Sequence, residues 1–593
     1  MNGDKFQLTI DKIFSSSVRN NPNQIISYMG KENVTYEQFR KRVYEIARGL
    51  VKIGVKKGDK VAVLEWDSMR YLEAYYAIPL AGGVLHTVNI RYPPDLIFYT
   101  MQHADDRFVI IRDEFVPLIE GSFSLFDFVK GWIVSSDHPD GEPRLENSYS
   151  YHRIGEGAEH LQLPVLNEDD QATIFYTSGT TGLPKGVSFT HRQIVLHTLT
   201  MGTALGDEPI SLKSTDVAMP LVPMFHVHSW GMPYLAILKG MKYVLPGRYD
   251  FNEIPKIMKK EKVSVSFMVP SILFMLLQSE NREDLKSLNL RVTVGGGALP
   301  KGLADKAKAM NLKVNVGYGM SETAPILTLS TYNKYVHELP EKERGEFEIK
   351  TGIPVPLVEL KVVDSSRKEV PWDSKAIGEI IVRAPWLTSS YVKDENNTKK
   401  LWVDGWMHTG DLAVVDSHGY ISIVDREKDA VKSGGEFIPT VILEDLISTF
   451  PGIGEVAVVG RAHEKWGERP VAFVSGGGTL DYKKLTEHLE QFVNTGRIAK
   501  FWLPDEYIPI DSFEKTSTGK IDKKVLREKL KRQRSLFFQF SNHFPDPIFN
   551  GNSFFQQWVF RKKRFSLWQH IFLVDCFQFC SSDPFNYLYE FID

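Results

Sequence analysis

Short apolar runs alternate with amphipathic helical patterns through the first third of the chain, and this rhythm narrows the fold more than any other feature. Thr35-Tyr36, followed by Glu37-Gln38-Phe39, opens an amphipathic helix expected to run to about Ile53. Gly58-Asp59 is a turn, Lys60 to Leu64 is a short buried strand, and a helix is expected from about Met69 to Gly82. The rhythm returns at 216–222, 241–246, 263–269, 291–295 and 313–317, each a short apolar run beside a helical pattern. Such alternation implies layered α/β structure around a mostly parallel sheet.

From about residue 355 the texture changes. Val358 to Val363, Ile377 to Arg383, Leu412 to Val415 and Tyr420 to Val424 are β-rich runs between Gly, Asp and Ser turns. They read as a β-subdomain closing the large domain. Asp425-Arg426-Glu427-Lys428-Asp429 is a charged junction, and a compact α/β unit follows, with strands near Val456 to Gly460 and Val471 to Val474. With 593 residues the chain is too long for one hydrophobic core. The expected division is a large N-terminal domain over 1–427, a small mobile C-terminal α/β domain over 428–534, and an aromatic-rich extension over 535–593. That extension lacks a clean helical period and reads as disordered or non-native. Its sharper alternative is a tail that meets a membrane surface or a partner.

The formal net charge of −3 gives no reason to expect nucleic acid as a partner. Both cysteines, Cys576 and Cys580, lie near the C-terminus, so no disulfide framework or cysteine metal site holds the first 575 residues. This suits a reducing, cytoplasmic location. Met1 to Phe14 lacks an apolar core, so no signal peptide is expected. No stretch approaches the roughly 18 apolar residues of a transmembrane helix.

Chemistry concentrates in a few segments. In Tyr176-Thr177-Ser178-Gly179-Thr180-Thr181-Gly182-Leu183-Pro184-Lys185-Gly186, glycines permit close approach of backbone N–H groups to phosphate oxygens. Four hydroxyls and a lysine add donors and charge. It is not a Walker A loop, since proline stands at 184 where that pattern needs glycine. Gly317-Tyr318-Gly319-Met320-Ser321-Glu322-Thr323 follows an apolar strand; glutamate at 322 excludes a dinucleotide fingerprint. Met224-Phe225-His226-Val227-His228 places two histidines on one face of an expected strand, a weak metal pair without a third ligand.

In this order the segments resemble the signatures of the adenylate-forming superfamily, which holds acyl-CoA synthetases, firefly-type luciferases and peptide-synthetase adenylation domains. The resemblance covers roughly residues 8–530. It implies that Thr177, Ser178, Gly179, Thr180, Thr181 and Lys185 bind ATP phosphates. Tyr318 would stack on adenine, Glu322 would bind the Mg²⁺ that ATP brings, and Thr323 would contact the α-phosphate. Gly296, Gly297 and Ala298 would line the adenine and acyl pocket. Asp411, in His408-Thr409-Gly410-Asp411, and Arg426, fifteen residues on, resemble the ribose ligands. Lys520, in Lys515 to Lys520, resembles the catalytic lysine that bridges the attacking carboxylate and the α-phosphate; Glu514 stands where the family usually has proline.

The resemblance also places His226 at the carboxylate end of an acyl channel, with Trp230, Gly231 and Gly319 as channel walls. Acetate-using relatives block the channel with tryptophan where this chain has Gly319. Gly434 and Gly435 would line the path of coenzyme A, and Lys428 would be the hinge of a domain rotation between two half-reactions. Ser433 to Ile438, Pro223 to His226 and Leu85 to Asn89 are similar to the medium- and long-chain fatty-acid ligase branch, although Val441 replaces a common acidic residue. The implied activity is ATP-dependent formation of an acyl-adenylate from a carboxylic acid, then transfer to coenzyme A. Delivery to a carrier-protein thiol, a luciferase-like oxygenase and a non-catalytic ligand-binding relative stay open, as does a homodimer.

Overall fold

A computed structural model describes residues 6–121, 123–138, 145, 147–177, 183–434, 436–476, 480–515 and 521–542, with side chains given to 532. One compact unit spans Met1–Glu528 and a second spans Lys529–Asp593. In the second, the described part belongs to the helix Lys523–Asn542, which passes the boundary expected at 534.

Among the described residues the first unit holds four sheets. The seven-stranded sheet pairs Lys60–Leu64 in parallel with Val84–Thr87 and Asp106–Arg112, and Val84–Thr87 with Gln171–Thr177. Among the described residues its one antiparallel pair joins Gln171–Thr177 to Lys185–Thr190. The nine-stranded sheet runs in parallel through Lys242–Leu245, Val217–Ala218, Val265–Met268, Arg291–Val294 and Lys313–Gly319, then turns antiparallel at Ile326–Leu329.

Helices form where caps and apolar faces agree. Tyr36–Lys52 starts on a capping box between Thr35 and Gln38 and buries Phe39, Val43, Ile46 and Leu50 on one face. His191–Ala204 starts on a second box between Thr190 and Gln193. Met69–Leu80 is buried all round, so it carries no polar stripe. The run expected as a strand over 216–222 forms a ladder at Val217–Ala218 and returns as a single parallel bridge from Leu221 to Met268, because Pro220 between them lacks the N–H a continuous ladder needs.

The β-subdomain is antiparallel: Glu359–Val363, Gly378–Arg383, Trp406–Val415 and Ile421–Arg426 pair in turn. A smaller α/β domain follows. Its antiparallel strands Val456–His463 and Gly467–Val474 carry a separate core of Val431, Ile438, Leu443, Val458, Leu485 and Leu489. The architecture is therefore mixed α/β, with a large N-terminal and a smaller C-terminal domain. Among the described residues no helix is long and apolar enough to cross a membrane.

Candidate active site

The glycine-rich segment joins two antiparallel strands, and Thr177 and Lys185 are cross-strand partners at its base. Ser178, Gly179, Thr180 and Thr181 lie outside the described residues. Lys185 Nζ sits 4.8 Å from the centroid of the Tyr391 ring. Tyr391 Oη donates a 2.6 Å hydrogen bond to Glu322 Oε1. The backbone of Tyr391 bridges Val187, and Val392 N donates to Gly186 O at 2.9 Å, so this segment is stitched to that strand pair.

Glu322 and Thr323 occupy the short turn Ser321–Thr323 after the strand Lys313–Gly319. Burial raises the Glu322 carboxyl above its ordinary range, and the Tyr391 hydrogen bond partly opposes this. Thr323 is fully buried; its Oγ1 accepts from Met320 N at 3.1 Å and lies against the Met320 and Pro325 carbonyls. A carboxylate offers about four lone-pair sites, and the Tyr391 bond uses one of them. Among the described residues no three His, Cys, Asp or Glu side chains form a metal cage. One buried carboxylate beside Lys185 fits a magnesium ion that draws its other ligands from substrate phosphates and water.

Tyr318 Oη donates to Asp411 Oδ2 at 2.8 Å, and Arg426 Nε stands 3.1 Å from Asp411 Oδ1. Asp411 and Arg426 are direct cross-strand partners in the β-subdomain, which accounts for their spacing in the sequence. The Asp411 carboxylate raises the Arg426 guanidinium above its ordinary value. Glu379, on the neighbouring strand, holds the stretch of strand before Asp411: Oε2 meets His408 Nδ1 at 2.8 Å and Oε1 accepts from Gly410 N at 3.0 Å. Gly319 has a steric reason to be glycine, since a Cβ there would lie 1.7 Å from the Pro325 carbonyl oxygen. Gly296 has φ +75°, Gly297 and Ala298 are exposed, and a Cβ at 297 would find only ordinary contacts at 3.8 Å.

The segment expected as a strand carrying His226 and His228 is instead a left-handed turn. Val227, His228, Ser229 and Trp230 have φ between 47° and 55°, and Gly231 follows at 80°. His228 is thereby turned into the core, away from a shared face with His226. It is ringed by Phe175, Phe189, Tyr75 and Tyr234, and neither of its ring nitrogens has a hydrogen-bond partner. Burial lowers its pKa to about 3. The metal pair, the weak alternative in the sequence, does not form. His226 is half-buried, and the loop before it is clamped by Asp67 Oδ1, which accepts from Met224 N at 2.8 Å, and by Thr87 Oγ1, which donates to Phe225 O at 3.1 Å. Trp230 packs on Gly295, where a Cβ would lie 3.0 Å from the indole; a Cβ at Gly231 would lie 2.9 Å from the His197 ring. Trp230 is thus brought beside the strand that bears Tyr318, since the same Gly295 lies against the Gly317 carbonyl.

Gly434 has φ +62°, and its N–H donates to Trp466 O at 2.8 Å. A Cβ there would lie 3.3 Å from the Trp466 ring. Gly435 and Lys520 lie outside the described residues. Lys428 is exposed to solvent at its surface, yet the protein atoms around its ammonium lower its pKa by desolvation, helped by Arg426. Beside it, Asp425 Oδ2 accepts from Thr440 N at 2.6 Å, while Lys523 Nζ meets Glu444 Oε1 at 2.6 Å and Thr440 Oγ1 at 2.7 Å. Burial lowers the Lys523 ammonium pKa, but Glu444 and Asp425 more than offset this and hold it charged.

Tyr391, Glu379 and Trp466 did not stand out in the sequence, and Asp425 showed only as part of the charged junction. The hydroxyl run Thr388-Ser389-Ser390-Tyr391 is the one local trace of Tyr391. Trp466 shows only as an aromatic in the turn between two strands.

The model of the AMP-binding enzyme family matches residues 14–392, and that of the AMP-binding enzyme C-terminal domain matches 443–520. The chain belongs to the AMP-binding enzyme family. Within that family it is 39% identical over 503 residues to the long-chain-fatty-acid–CoA ligase of Thermus thermophilus, covering 84% of this chain and 90% of that protein. It is 34% identical over 535 residues to the medium-chain-fatty-acid–CoA ligase of Ectopseudomonas oleovorans, covering 88% and 96%. The crystal structure of ATP-bound MatB from Rhodopseudomonas palustris superposes with a TM-score of 0.75 at 26% identity, covering 89% of this chain and 99% of that one.

Proposed function

We propose that this AMP-binding enzyme is an acid–thiol ligase that activates a medium- to long-chain fatty acid with ATP and passes the acyl group to coenzyme A. The observation that carries the reading is the convergence of Lys185, Glu322, Tyr318, Asp411 and Arg426, from separate segments, into two adjoining clusters joined through the 318–323 segment. The substrate class follows the two fatty-acid–CoA ligases above.

In the first step the acid carboxylate attacks the α-phosphorus of ATP and pyrophosphate leaves. In the second the coenzyme A thiolate attacks the acyl carbon and AMP leaves. The protein's part is positioning and charge stabilisation. Lys185 and the hairpin donors hold the phosphates. Asp411 and Arg426 hold the ribose hydroxyls while Tyr318 faces the adenine. Bound with ATP, magnesium held by Glu322 would offset phosphate charge. Lys520 bridges the attacking carboxylate and the α-phosphate, and His226 borders the carboxylate end of the acyl site with Trp230 and Gly231.

Coenzyme A reaches the acyl carbon past Gly434 and Gly435, so the small domain, from 428 on, turns about Lys428 between the steps. The reactants suit a cytoplasmic location. The test is acid-dependent AMP release from ATP, with and without coenzyme A, over acids from acetate to palmitate. Release that requires coenzyme A and yields an acyl-CoA of eight or more carbons (about that length, one methylene being worth about 0.8 kcal/mol of burial) supports the reading. Pyrophosphate exchange without coenzyme A turnover would replace it with transfer to a carrier thiol.

A further inference from the structure

Tyr391 touches both groups assigned above to the phosphates and their metal, and it does so with two different parts of one side chain. Its hydroxyl donates to Glu322 Oε1 at 2.6 Å, and its ring lies under the Lys185 ammonium at 4.8 Å. The residue itself is 9% exposed and held on several sides. Its N–H donates to Thr398 Oγ1 at 3.0 Å, its backbone bridges Val187, and the next residue's N–H bonds Gly186 O at 2.9 Å. The Glu322 backbone is tied to the same segment, through Thr388 N to Glu322 O at 2.9 Å. Hairpin, metal-side turn and Tyr391 segment are therefore one braced unit.

We infer that Tyr391 is the positioning residue of this site: its hydroxyl orients the Glu322 carboxylate for a magnesium ion, and its ring fixes the Lys185 ammonium for the phosphates. The inference rests on the reading of Glu322 as the metal carboxylate. Hydrogen-bonded partners of metal ligands set ligand orientation, and their loss typically costs 10–100-fold in metal affinity. An ammonium over a ring is a weaker tie, worth a several-fold change in affinity. The two halves of the side chain thus have separable consequences. Removing the hydroxyl alone should loosen the metal; removing the ring as well should also loosen the nucleotide.

The experiment uses the full chain, Mn²⁺ as a spectroscopic probe of the metal, and α,β-methylene-ATP as a nucleotide that cannot be cleaved. Mn²⁺ affinity is read by electron paramagnetic resonance in the presence of the nucleotide. Nucleotide affinity is read by calorimetry in EDTA, where no metal takes part. Tyr391→Phe keeps the ring and should weaken Mn²⁺ about 10-fold while leaving metal-free nucleotide affinity unchanged. Tyr391→Leu should add a several-fold loss of metal-free nucleotide affinity, about what one cation–ring contact supplies. Glu322→Gln is the control on the underlying reading. If it weakens Mn²⁺ and Tyr391→Phe does not, the inference fails and the reading of Glu322 stands. If Glu322→Gln leaves Mn²⁺ binding intact, Glu322 is not the metal carboxylate and the hydroxyl half of the inference goes with it. Equal loss of metal and metal-free nucleotide binding in Tyr391→Phe would mark a merely structural role and also overturn it.

Discussion

Two polar clusters hang on the single strand Ile421–Arg426, and they are built for opposite purposes. Arg426 turns to Asp411, its cross-strand partner, and through it to Tyr318. Every member of that cluster precedes Lys428, so a rotation there leaves it untouched. Asp425, one residue earlier, presents the other face of the strand, as the two-residue side-chain period requires. Its carboxylate accepts from Thr440 N, beside Glu444 and Lys523. Those three follow Lys428, so the Asp425–Thr440 bond spans the proposed hinge and a rotation must break it. The nucleotide side is held rigid by strand register. The proposed hinge side is held by a few hydrogen bonds and a small apolar cluster of Leu412, Val424 and Ala430 with Phe437 and Ile442 against it, a small set of contacts for a rotation to break.

The sharpest test of that contrast is Lys520→Ala. A side chain that acts in one pose should matter to one half-reaction only. Acid-dependent pyrophosphate exchange should fall about 10²–10³-fold, the usual cost of losing one donor to developing charge. Thiol transfer from supplied acyl-adenylate should persist. Equal loss of both steps would break the two-pose account.

Asp425→Ala probes the hinge side with a smaller effect. Lys523 comes three residues after Lys520, and its contacts lie against the strand that bears Arg426. The pose with the Asp425–Thr440 bond is therefore read as the adenylating one. Losing a hydrogen bond to a charged group costs about 1.5–3 kcal/mol, so adenylation should slow at least about tenfold relative to thiol transfer. The ATP KM should change little, because Asp425 meets Arg426 only at its backbone N–H, at 2.7 Å, while the guanidinium keeps Asp411. A raised KM with an unchanged ratio of the two steps would show that the two faces of the strand are not independent.

Much of this division was legible in the sequence. Apolar runs bounded by turn residues marked the strands, and Thr35 with Gln38 marked a helix start through a purely local capping box. The Asp411–Arg426 spacing was legible because a hairpin makes near neighbours in sequence into neighbours in space. The Tyr391–Glu322 bond joins residues 69 positions apart, and no local pattern encodes such a contact. Backbone handedness was hidden for another reason. Val227, Ser229 and Trp230 are residues that disfavour positive φ, so propensity argues for a strand where packing imposes a left-handed turn. Gly319 was read as an opening in an acyl channel, whereas the Pro325 carbonyl supplies a steric demand visible only in three dimensions.

The same contrast predicts how the two regions answer to acid. Burial depresses His197 and His228, in the large domain, to about 3, so both are neutral when folded. In the unfolded chain each takes up a proton near pH 6.5. Between those values the unfolded state binds more protons than the native state, so stability is present above about pH 6.5 and is lost as pH falls toward 3. Each histidine contributes on the order of 1 kcal/mol per pH unit to that loss. The hinge-side ammonium of Lys523, held above its ordinary value, stays protonated in both states through this window and contributes no slope. His228→Phe should therefore flatten the acid limb of guanidinium unfolding midpoints by about one proton, with little change at pH 7. The substitution is mild, because four aromatic rings already surround the site and the imidazole nitrogens forfeit no hydrogen bond. An unchanged acid limb would mean that His228 is protonated in the native state, and the large domain would then owe its acid sensitivity to other groups.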